Sequence, residues 1–339
     1  MPLKKVLKDF IFLVNRNPVS KYLYNREISL RSKMNLTDIY QLSKHIQVFS
    51  PFTTEINPAN DWYGHASIFK KYLSLPQSYQ FKFIIEHGTF PTEQVSEVEL
   101  EPKLPVFLTY SDYRIDILKK YRDYAFSIGP FIHYSPSFYS KEKIMLEKKR
   151  LGKNLLIFPA HSLSYVINEY DQKWFIKKVK KLAKDFDSVR VCLFWADILL
   201  GLHKYYNNLG FECVTAGHIL DPNFLPRLKT IIGISDLTIS NDVGTHVGYS
   251  VYLDKPHIIF HKVPEVKGTR KWTNIQSDYW SSTPYLKLLK EFSKVSYHIT
   301  PAQRKVANQY YGGKENIKTK VDFLKIVNFA EQIYSDNKA

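Results

Sequence analysis

The segment Ile231–Pro256 restricts the fold of this chain more than any other stretch of its sequence. Within it, the short apolar run Leu237–Ser240 has the pattern of a buried parallel strand. Small and polar residues follow, then a helical pattern over His246–Leu253 and a second apolar strand over His257–Phe260. Strand, turn, helix and strand in this order predict a βαβ unit, which places a ligand at the carboxyl end of its first strand.

The turn inside this unit has the composition of an anion site. Gly244 and Thr245 stand where the helix begins, so they offer backbone N–H groups and a hydroxyl to a phosphate. We therefore predict a nucleotide-phosphate contact at these two residues. The segment alone leaves open the alternative of an ordinary βα turn that binds no ligand.

The chain before this unit repeats the pattern of a parallel α/β sheet. Apolar strands separated by helices are predicted at Leu155–Phe158, Val189–Trp195, Phe211–Thr215 and Leu237–Ser240. Because parallel strands end at the same edge of a sheet, the polar residues after them are expected to converge on one crevice. The predicted ligand-binding residues of this crevice are His161, Ser162, Trp195, His218, Asn241, Asp242, Gly244, Thr245 and His246. A structural role inside the fold is the alternative for any single histidine among them.

The first half of the chain also alternates strands with helices, which predicts a second α/β domain. Its strand Gln80–Gly88 ends with Glu86 and His87, so both are candidates for a catalytic base at the sheet edge. A second pair, Asp61 and His65, belongs to a polar, aromatic-rich segment predicted as a loop, and loops often carry function. We prefer Asp61 and His65 as the base; a helix cap and a structural histidine are the alternatives.

The length of 339 residues exceeds a comfortable single core and favours two domains. A basic helix that ends at Gly152 marks the predicted boundary between them. We predict an N-terminal α/β domain over residues 1–150 and a Rossmann-like domain over residues 151–300. Helices over residues 301–339 are expected to pack back on the N-terminal domain.

The formal net charge of +16 indicates an anionic partner or substrate. Nucleic acid is not predicted, because no nucleic-acid-binding motif and no arginine cluster is present in the sequence. The lysines are spread along helices, so an anionic membrane surface is the favoured partner, and a generally lysine-rich composition is the other explanation. The amphipathic segment Leu3–Val14 either packs on its own domain or docks at such a membrane interface.

Cys192 and Cys213 lie in apolar, strand-like contexts, which predicts free thiols in a reducing compartment. The sequence has no metal-ligand spacing and no apolar run long enough to cross a membrane. A cleaved signal peptide is not expected, because the apolar run Phe10–Val14 is short and no small-residue cleavage site follows it. These features predict a cytoplasmic protein, peripheral to the inner face of the membrane.

The second half of the chain resembles the GT-B glycosyltransferases of bacterial surface polysaccharide and lipopolysaccharide biosynthesis. The strongest part is SDLTISNDVGTHVGYSVYLDKPHIIF, which is similar to the family segment whose helix N-terminus binds the donor phosphate. Asp236, Ser240, Gly244, Thr245 and the exit Lys255–Ile258 fit that pattern. The resemblance covers residues 150–300 in its motifs and the N-terminal half only in its architecture.

The resemblance implies two Rossmann-like domains with a donor crevice between them. It also implies metal-independent transfer of a sugar from a nucleotide-sugar donor to a glycan or lipid-linked acceptor. The nucleotide sugar is then a substrate, and no cofactor is expected. The N-terminal domain would bind the acceptor and supply the base, from among Asp61, His65, Glu86 and His87.

One departure from the family bears on the donor. The helix lacks the carboxylate with which many members bind the donor sugar or ribose; His246, Tyr249 and Ser250 occupy that region. This departure counts against a UDP- or GDP-sugar, and the turn Pro159–Ser162 partly matches transferases of CMP-activated acidic sugars. A nucleotide-sugar epimerase of the same fold and a non-catalytic glycan- or nucleotide-binding protein are the alternative functions.

Overall fold

The structure is a computed structural model that describes residues 18–46, 55–89, 91–95, 99–100, 104–161, 167–262, 265–267 and 278–337. The amphipathic segment Leu3–Val14 and the candidate residue Ser162 lie outside these ranges. Within them the chain forms two α/β units, each built on a parallel sheet. The predicted fold class is therefore confirmed.

The N-terminal unit is built on a parallel sheet with the strand order β1-β2-β3. Its strands are Phe83–Ile85 (β1), Val106–Thr109 (β2) and Tyr124–Ser127 (β3). All residues of β1 and β2 are buried, which explains why their sequences are continuous apolar runs without alternation. The helices of this half are Pro18–Arg31 (α1), Ile39–Ser43 (α2), His65–Leu73 (α3), Asp112–Leu118 (α4) and Lys141–Leu151 (α5), with 3-10 turns at Pro58–Gly64 and Phe131–His133.

The C-terminal half contributes the remaining strands and helices of the described residues. Its strands are Asn154–Phe158 (β4), Ile167–Glu169 (β5), Ser188–Cys192 (β6), Glu212–Val214 (β7), Leu237–Ser240 (β8), His257–Ile259 (β9) and Glu265–Lys267 (β10). Its helices are Gln172–Ala183 (α6), Trp195–Leu199 (α7), Leu202–Asn207 (α8), Phe224–Ile234 (α9), Thr245–Tyr252 (α10), Thr283–Phe292 (α11), Pro301–Tyr311 (α12) and Lys320–Asp336 (α13), with a 3-10 turn at Lys314–Asn316. In the described part of the chain, no helix has both the length and the apolar composition needed to span a bilayer.

The large sheet of this half has the strand order β7-β6-β4-β8-β9, and all of its strands are parallel. If only these five strands are numbered, in their order along the chain, the sheet has the strand order 3-2-1-4-5. This is the order of a Rossmann-like domain. The winding direction reverses between β4 and β8, which pair from Leu155–Leu237 to Phe158–Ser240. Open α/β sheets bind ligands beyond the strand ends at such a switch point. The residues that follow Phe158 and Ser240 therefore border the expected binding crevice.

One pair of strands was not expected from the sequence. β5 and β10 form an antiparallel ribbon in which Ile167 pairs with Lys267 and Glu169 pairs with Glu265. The sequence predicts a polar connection over residues 164–170 and an irregular segment after Lys262. Both strands are short and neither is apolar, so the pairing comes from their contact in space and not from local pattern.

The connection between α1 and α2 lies on the C-terminal sheet, although it belongs to the first 150 residues. Arg31 donates from Nη1 to the carbonyl of Leu42 over 2.7 Å, and Arg227 donates from Nη2 to the carbonyl of Arg31 over 2.9 Å. The N–H of Thr215, just after β7, donates to the carbonyl of Leu36 over 3.1 Å. Residues 31–46 thus contact the C-terminal unit, while the division at residue 150 stays a prediction.

The last helix lies against the N-terminal unit. The hydroxyl of Tyr79 donates to Glu331 of α13 over 2.6 Å, and Phe329 packs edge-on against Tyr124 of β3. Between the units, one cluster of buried apolar side chains includes both Phe83 of β1 and Leu156 of β4. The two sheets therefore share a continuous core.

Candidate functional site

The turns after β4 and β8 meet at the switch point of the C-terminal sheet. The Oδ1 atom of Asn241 accepts a hydrogen bond from the backbone N–H of Ala160 over 2.5 Å. Asn241 is buried, so this bond fixes the turn that leads to His161 beside the turn that leads to Thr245. The structure thus brings two of the predicted turns together, and Asn241 holds them in place.

The second residue of the β8 turn, Asp242, is bound by protein groups. Its Oδ1 atom accepts hydrogen bonds from the hydroxyl of Tyr285 over 2.7 Å and from the N–H of Val243 over 2.8 Å. Burial raises the pKa of Asp242, and the bond from Tyr285 opposes that shift. Asp242 therefore ties its turn to helix α11, and its predicted contact with a ligand stays a prediction.

Helix α10 begins at Thr245, one residue earlier than predicted, and no side chain caps its first turn. The N–H of Val247 donates to the carbonyl of Gly244 over 3.0 Å. The helix dipole and the remaining N–H groups of an uncapped first turn favour an anion. The Oγ1 atom of Thr245 accepts a hydrogen bond from the backbone N–H of Thr89 over 3.0 Å. Because Thr89 follows β1, the helix end faces the loop at the strand end of the other sheet.

Two buried polar atoms at this helix end have no hydrogen-bond partner among the described residues. They are Oγ1 of Thr89, a residue that is 7% exposed, and Nε2 of His246. Burial and the nearby charge of His161 lower the pKa of His246 to about 3, so its imidazole is neutral at pH 7. A buried polar atom without a partner costs about 1–3 kcal/mol, which a bound polar ligand would recover.

A row of aromatic and imidazole rings extends along the strand ends of the C-terminal sheet. The exposed ring of His161 stacks on Phe194 with 4.4 Å between ring centroids. Next to them, Trp195 lies 4.5 Å from His218 and 5.1 Å from His45. Burial lowers the pKa of His218 to about 4, with His45 and Arg31 as smaller causes. The predicted residues His161, Trp195 and His218 therefore lie along one edge as flat ring surfaces.

On the N-terminal sheet, Glu86 directly follows β1 and is buried against polar side chains. Its Oε2 atom accepts a hydrogen bond from the hydroxyl of Thr109 over 2.5 Å, and its Oε1 atom lies 3.8 Å from Nε of Arg114. Glu86 is 5% exposed, and burial raises its pKa to about 7, against the opposing effect of Arg114. Glu86 therefore anchors the loop that follows it to β2 and α4.

His87, the next residue, is partly exposed. Its ring packs edge-on against Trp62 with 4.7 Å between centroids. Burial lowers the pKa of His87 and the charge of Glu99 opposes the shift, so the imidazole is mainly neutral at pH 7. The neutral imidazole is the form that can accept a proton, and this one lies two residues before the Thr89–Thr245 contact.

The segment Asp61–His65 is not the open loop that the sequence predicts. It forms the end of a 3-10 helix and the first residue of α3. His65 is 1% exposed and packs against Phe131 at 5.1 Å, and burial lowers its pKa to about 3. The N–H of Tyr63, whose φ is +58°, donates to the carbonyl of Ile219 over 2.7 Å. The expectation of an unpacked segment is therefore corrected, because its packing partners are distant in sequence and leave no local pattern.

Two residues at this place, Thr89 and Phe194, were not predicted from the sequence, and Tyr249 was noted only as one of the residues that stand where the family has its helix carboxylate. Tyr249 of α10 shares a hydrogen bond of 3.0 Å between hydroxyls with Tyr110, so it joins the two sheets. Thr89 directly follows the predicted strand Gln80–Gly88, and its position was a usable signal. Phe194 looked like an ordinary core residue, and nothing in its sequence neighbours distinguishes it.

The described residues contain no group of three or more His, Cys, Asp or Glu side chains arranged to hold a metal ion. The groups gathered between the two units are helix-end N–H groups, hydroxyls and neutral imidazoles. Groups of these kinds bind anionic oxygens and transfer protons.

Comparison with known proteins leaves the family of the chain open. No family model matches the sequence, and no curated protein matches it. Among solved structures, the wall teichoic acid polymerase TagF is similar at 12% sequence identity and a TM-score of 0.38. The matched region covers 69% of this chain and 58% of the TagF chain, which is less than two thirds of its length. A similarity this low establishes neither the family nor the activity of this chain.

Proposed function

We propose that this protein is a GT-B glycosyltransferase that moves a sugar from a nucleotide-sugar donor to a glycan or lipid-linked acceptor. The observation that carries the proposal is the 3.0 Å hydrogen bond from the N–H of Thr89 to Thr245. It places the uncapped end of α10, on one unit, against the strand-end loop of the other unit. Transfer between two substrates needs such a pair of facing surfaces, one for each substrate.

The donor binds on the C-terminal side of this contact in the proposed mechanism. Its phosphate lies at the N-terminus of α10, where N–H groups stabilise the charge that develops on the leaving nucleotide. The unpartnered atoms of Thr89 and His246 supply further hydrogen bonds. The stacked rings of His161 and Phe194 offer a flat surface for the nucleotide base.

The first turn of α10 contains no acidic residue. A carboxylate there would repel an anionic sugar, so its absence favours a donor whose sugar is itself acidic. We propose a CMP-activated acidic sugar on this ground. The residues named here need no metal ion or cofactor for their proposed roles.

His87 is the proposed base that takes the proton from the acceptor hydroxyl. It is partly exposed, mainly neutral at pH 7 and next to the donor side of the crevice. The other candidates are less suited, because His65 is enclosed by aromatic rings and Glu86 is bound by Thr109 and Arg114. Asp61 lies within the 3-10 helix that packs beside the C-terminal unit.

We further propose that the protein acts in the cytoplasm at the inner face of the membrane, in capsule or lipopolysaccharide synthesis. The net charge of +16 supports this location, because the cytoplasmic leaflet carries anionic lipids. The two cysteines are buried and free, as expected in a reducing compartment.

The proposal is tested by thermal unfolding of the full chain with CMP, UDP and GDP. We expect CMP to raise the unfolding temperature, since a ligand at about one hundred times its Kd stabilises by roughly 2.7 kcal/mol. His161→Ala and Thr245→Ala should abolish the shift, whereas His298→Ala, at an exposed histidine, should retain it.

Absence of any nucleotide response would rule out the transferase. A response to CMP that both site variants retain would show that the phosphate site is misplaced. The corresponding nucleotide sugar then separates the enzyme classes: a transferase releases the nucleotide, an epimerase converts the sugar without release, and a binding protein does neither.

A further inference from the structure

Helix α5 carries two large apolar side chains on the protein surface. Met145 is 70% exposed and Leu146 is 67% exposed, and they are adjacent at the middle of the helix. The other side of the helix is anchored, because Leu151 is buried and Ile144 packs against the core. The two exposed side chains therefore form a fixed apolar ridge, which the described part of the chain leaves uncovered.

Lysines flank this ridge on the same side of the helix. Lys141, Lys148 and Lys149 lie four residues before and three and four residues after Met145, so they share its face. All three are exposed, and none forms an ion pair within the ranges that the structure describes. Burial lowers the pKa of nearby Lys255, the charge of Lys148 adds to this effect, and the charges of Asp236 and Asp254 oppose it.

The acidic residues of α5 leave this face positive. Glu147 is paired with Arg150 over 2.7 Å, and Arg150 also contacts Glu212 over 2.9 Å. Glu142 is exposed in the first turn, where the helix dipole favours a carboxylate. The three lysines beside the ridge thus exceed the acidic charge that remains.

The N-terminal end of α5 lies near the strand-end edge of the large sheet. Lys143 donates to Oδ1 of Asn35 over 2.9 Å, and the N–H of Leu36 donates to the hydroxyl of Tyr139 over 3.0 Å. Leu36 in turn accepts from the N–H of Thr215, which follows β7. A surface that covers α5 would therefore lie close to the edge where the crevice opens.

We propose that helix α5 docks the chain on an anionic phospholipid bilayer. Met145 and Leu146 insert at the boundary between headgroups and acyl chains, and Lys141, Lys148 and Lys149 contact lipid phosphates. An apolar ridge flanked by lysines is the composition with which interfacial helices bind anionic lipids. Helix α5 is thus the surface through which the chain would bind the membrane proposed above as its location. Binding through this surface does not require that the chain be a transferase.

The test is co-sedimentation of the full chain with vesicles of phosphatidylcholine alone or mixed with phosphatidylglycerol. We expect binding to the mixed vesicles, weaker binding at high salt and little binding to phosphatidylcholine alone. Met145→Ser with Leu146→Ser, and separately Lys148→Gln with Lys149→Gln, should each weaken partitioning about tenfold or more.

Matched controls come from another exposed helix, α11. Leu286 is 51% exposed, and Lys287 and Lys290 are exposed beside it. Leu286→Ser, and separately Lys287→Gln with Lys290→Gln, should bind vesicles as the wild type does. All these changes are at the surface, so thermal unfolding should show that every variant is folded.

Wild-type binding by the α5 variants would overturn the proposal, as would an equal loss in the α11 controls. Equal binding to both kinds of vesicle would also overturn it, because the lysines would then have no role. None of these outcomes bears on the nucleotide response, so failure here is distinguishable from failure of the transferase proposal.

Discussion

At the scale of single residues, the candidate histidines differ mainly in how far the fold encloses each imidazole. Burial lowers the pKa of both His65 and His246 to about 3, so neither takes up a proton near neutral pH. His87 is partly exposed, with a pKa that burial lowers and the charge of Glu99 raises, and His161 is exposed on the face of Phe194. In the sequence these four histidines look alike. Their burial in the folded protein distinguishes His87, the candidate base, from His65 and His246, which lie in the interior.

Replacing His87 with asparagine tests its proposed role. We expect kcat to fall by about 10²–10⁴-fold, the usual contribution of a general base, while the thermal shift with nucleotide is unchanged. In the wild type, kcat/KM should fall only below about pH 6.5, because the lowered pKa keeps His87 neutral above that value. Activity is measured as nucleotide release from the donor sugar.

His298→Asn serves as the control, since it makes the same change at an exposed histidine with no proposed role in binding or catalysis. Full activity in the His87→Asn variant would show that another group takes the proton. A loss of nucleotide binding in that variant would indicate a structural role for His87.

At the scale of elements, helix α10 has a proposed binding role at its first turn and packs very closely further along. A Cβ atom at Gly248 would lie 2.3 Å from Cγ of Tyr311 in α12, so only glycine allows this approach. Tyr249, the next residue, bonds to Tyr110 of the N-terminal unit. The position of the proposed phosphate site therefore depends on contacts of α10 with both the closing helix and the opposite sheet.

Gly248→Ala should destabilise the protein by about 1–3 kcal/mol, because the added methyl group has no space. Gly233→Ala in α9 is the matched control, since a Cβ atom there meets nothing within 4 Å. That change should be neutral or stabilise by up to about 1 kcal/mol, as alanine favours a helix over glycine. Denaturant unfolding measures both, and similar effects in the two variants would contradict the packing described for α10.

At the scale of the whole molecule, burial of neutral histidines in the core makes stability depend on pH. The folded-state pKa values of His65 and His218 are lowered from 6.5 to about 3 and about 4. Between these values and 6.5 the unfolded chain binds protons that the folded chain does not, so stability is lost as the pH falls. Glu86 acts in the opposite direction, because its raised pKa favours the folded state at acidic pH.

His65→Gln removes one of these groups and should reduce the slope of stability against pH. Each buried histidine contributes up to about 1.4 kcal/mol per pH unit, so the variant should lose stability less steeply between about pH 4 and 6. The free energy of unfolding in denaturant at several pH values gives both slopes. Equal slopes would mean that His65 is protonated in the folded protein.

The sequence predicted the C-terminal sheet well, because β4 and β8 are buried on both faces and are therefore short segments rich in large apolar residues. It also predicted the turn before Thr245, where a small residue precedes a helix. It did not predict the β5–β10 ribbon or the burial of His65, since both depend on partners far away in the chain. Local periodicity contains no information about such partners.

The sequence by itself determined the α/β class, the strands of the parallel sheets and the residues at their ends. These follow from hydrophobic pattern and turn chemistry, which act over a few residues. Only the tertiary structure decided that Thr89 meets Thr245, that residues 31–46 lie on the C-terminal sheet and that Met145 and Leu146 remain uncovered. Those outcomes depend on how two separately patterned units pack against each other, and that packing is set by contacts between residues far apart in the chain.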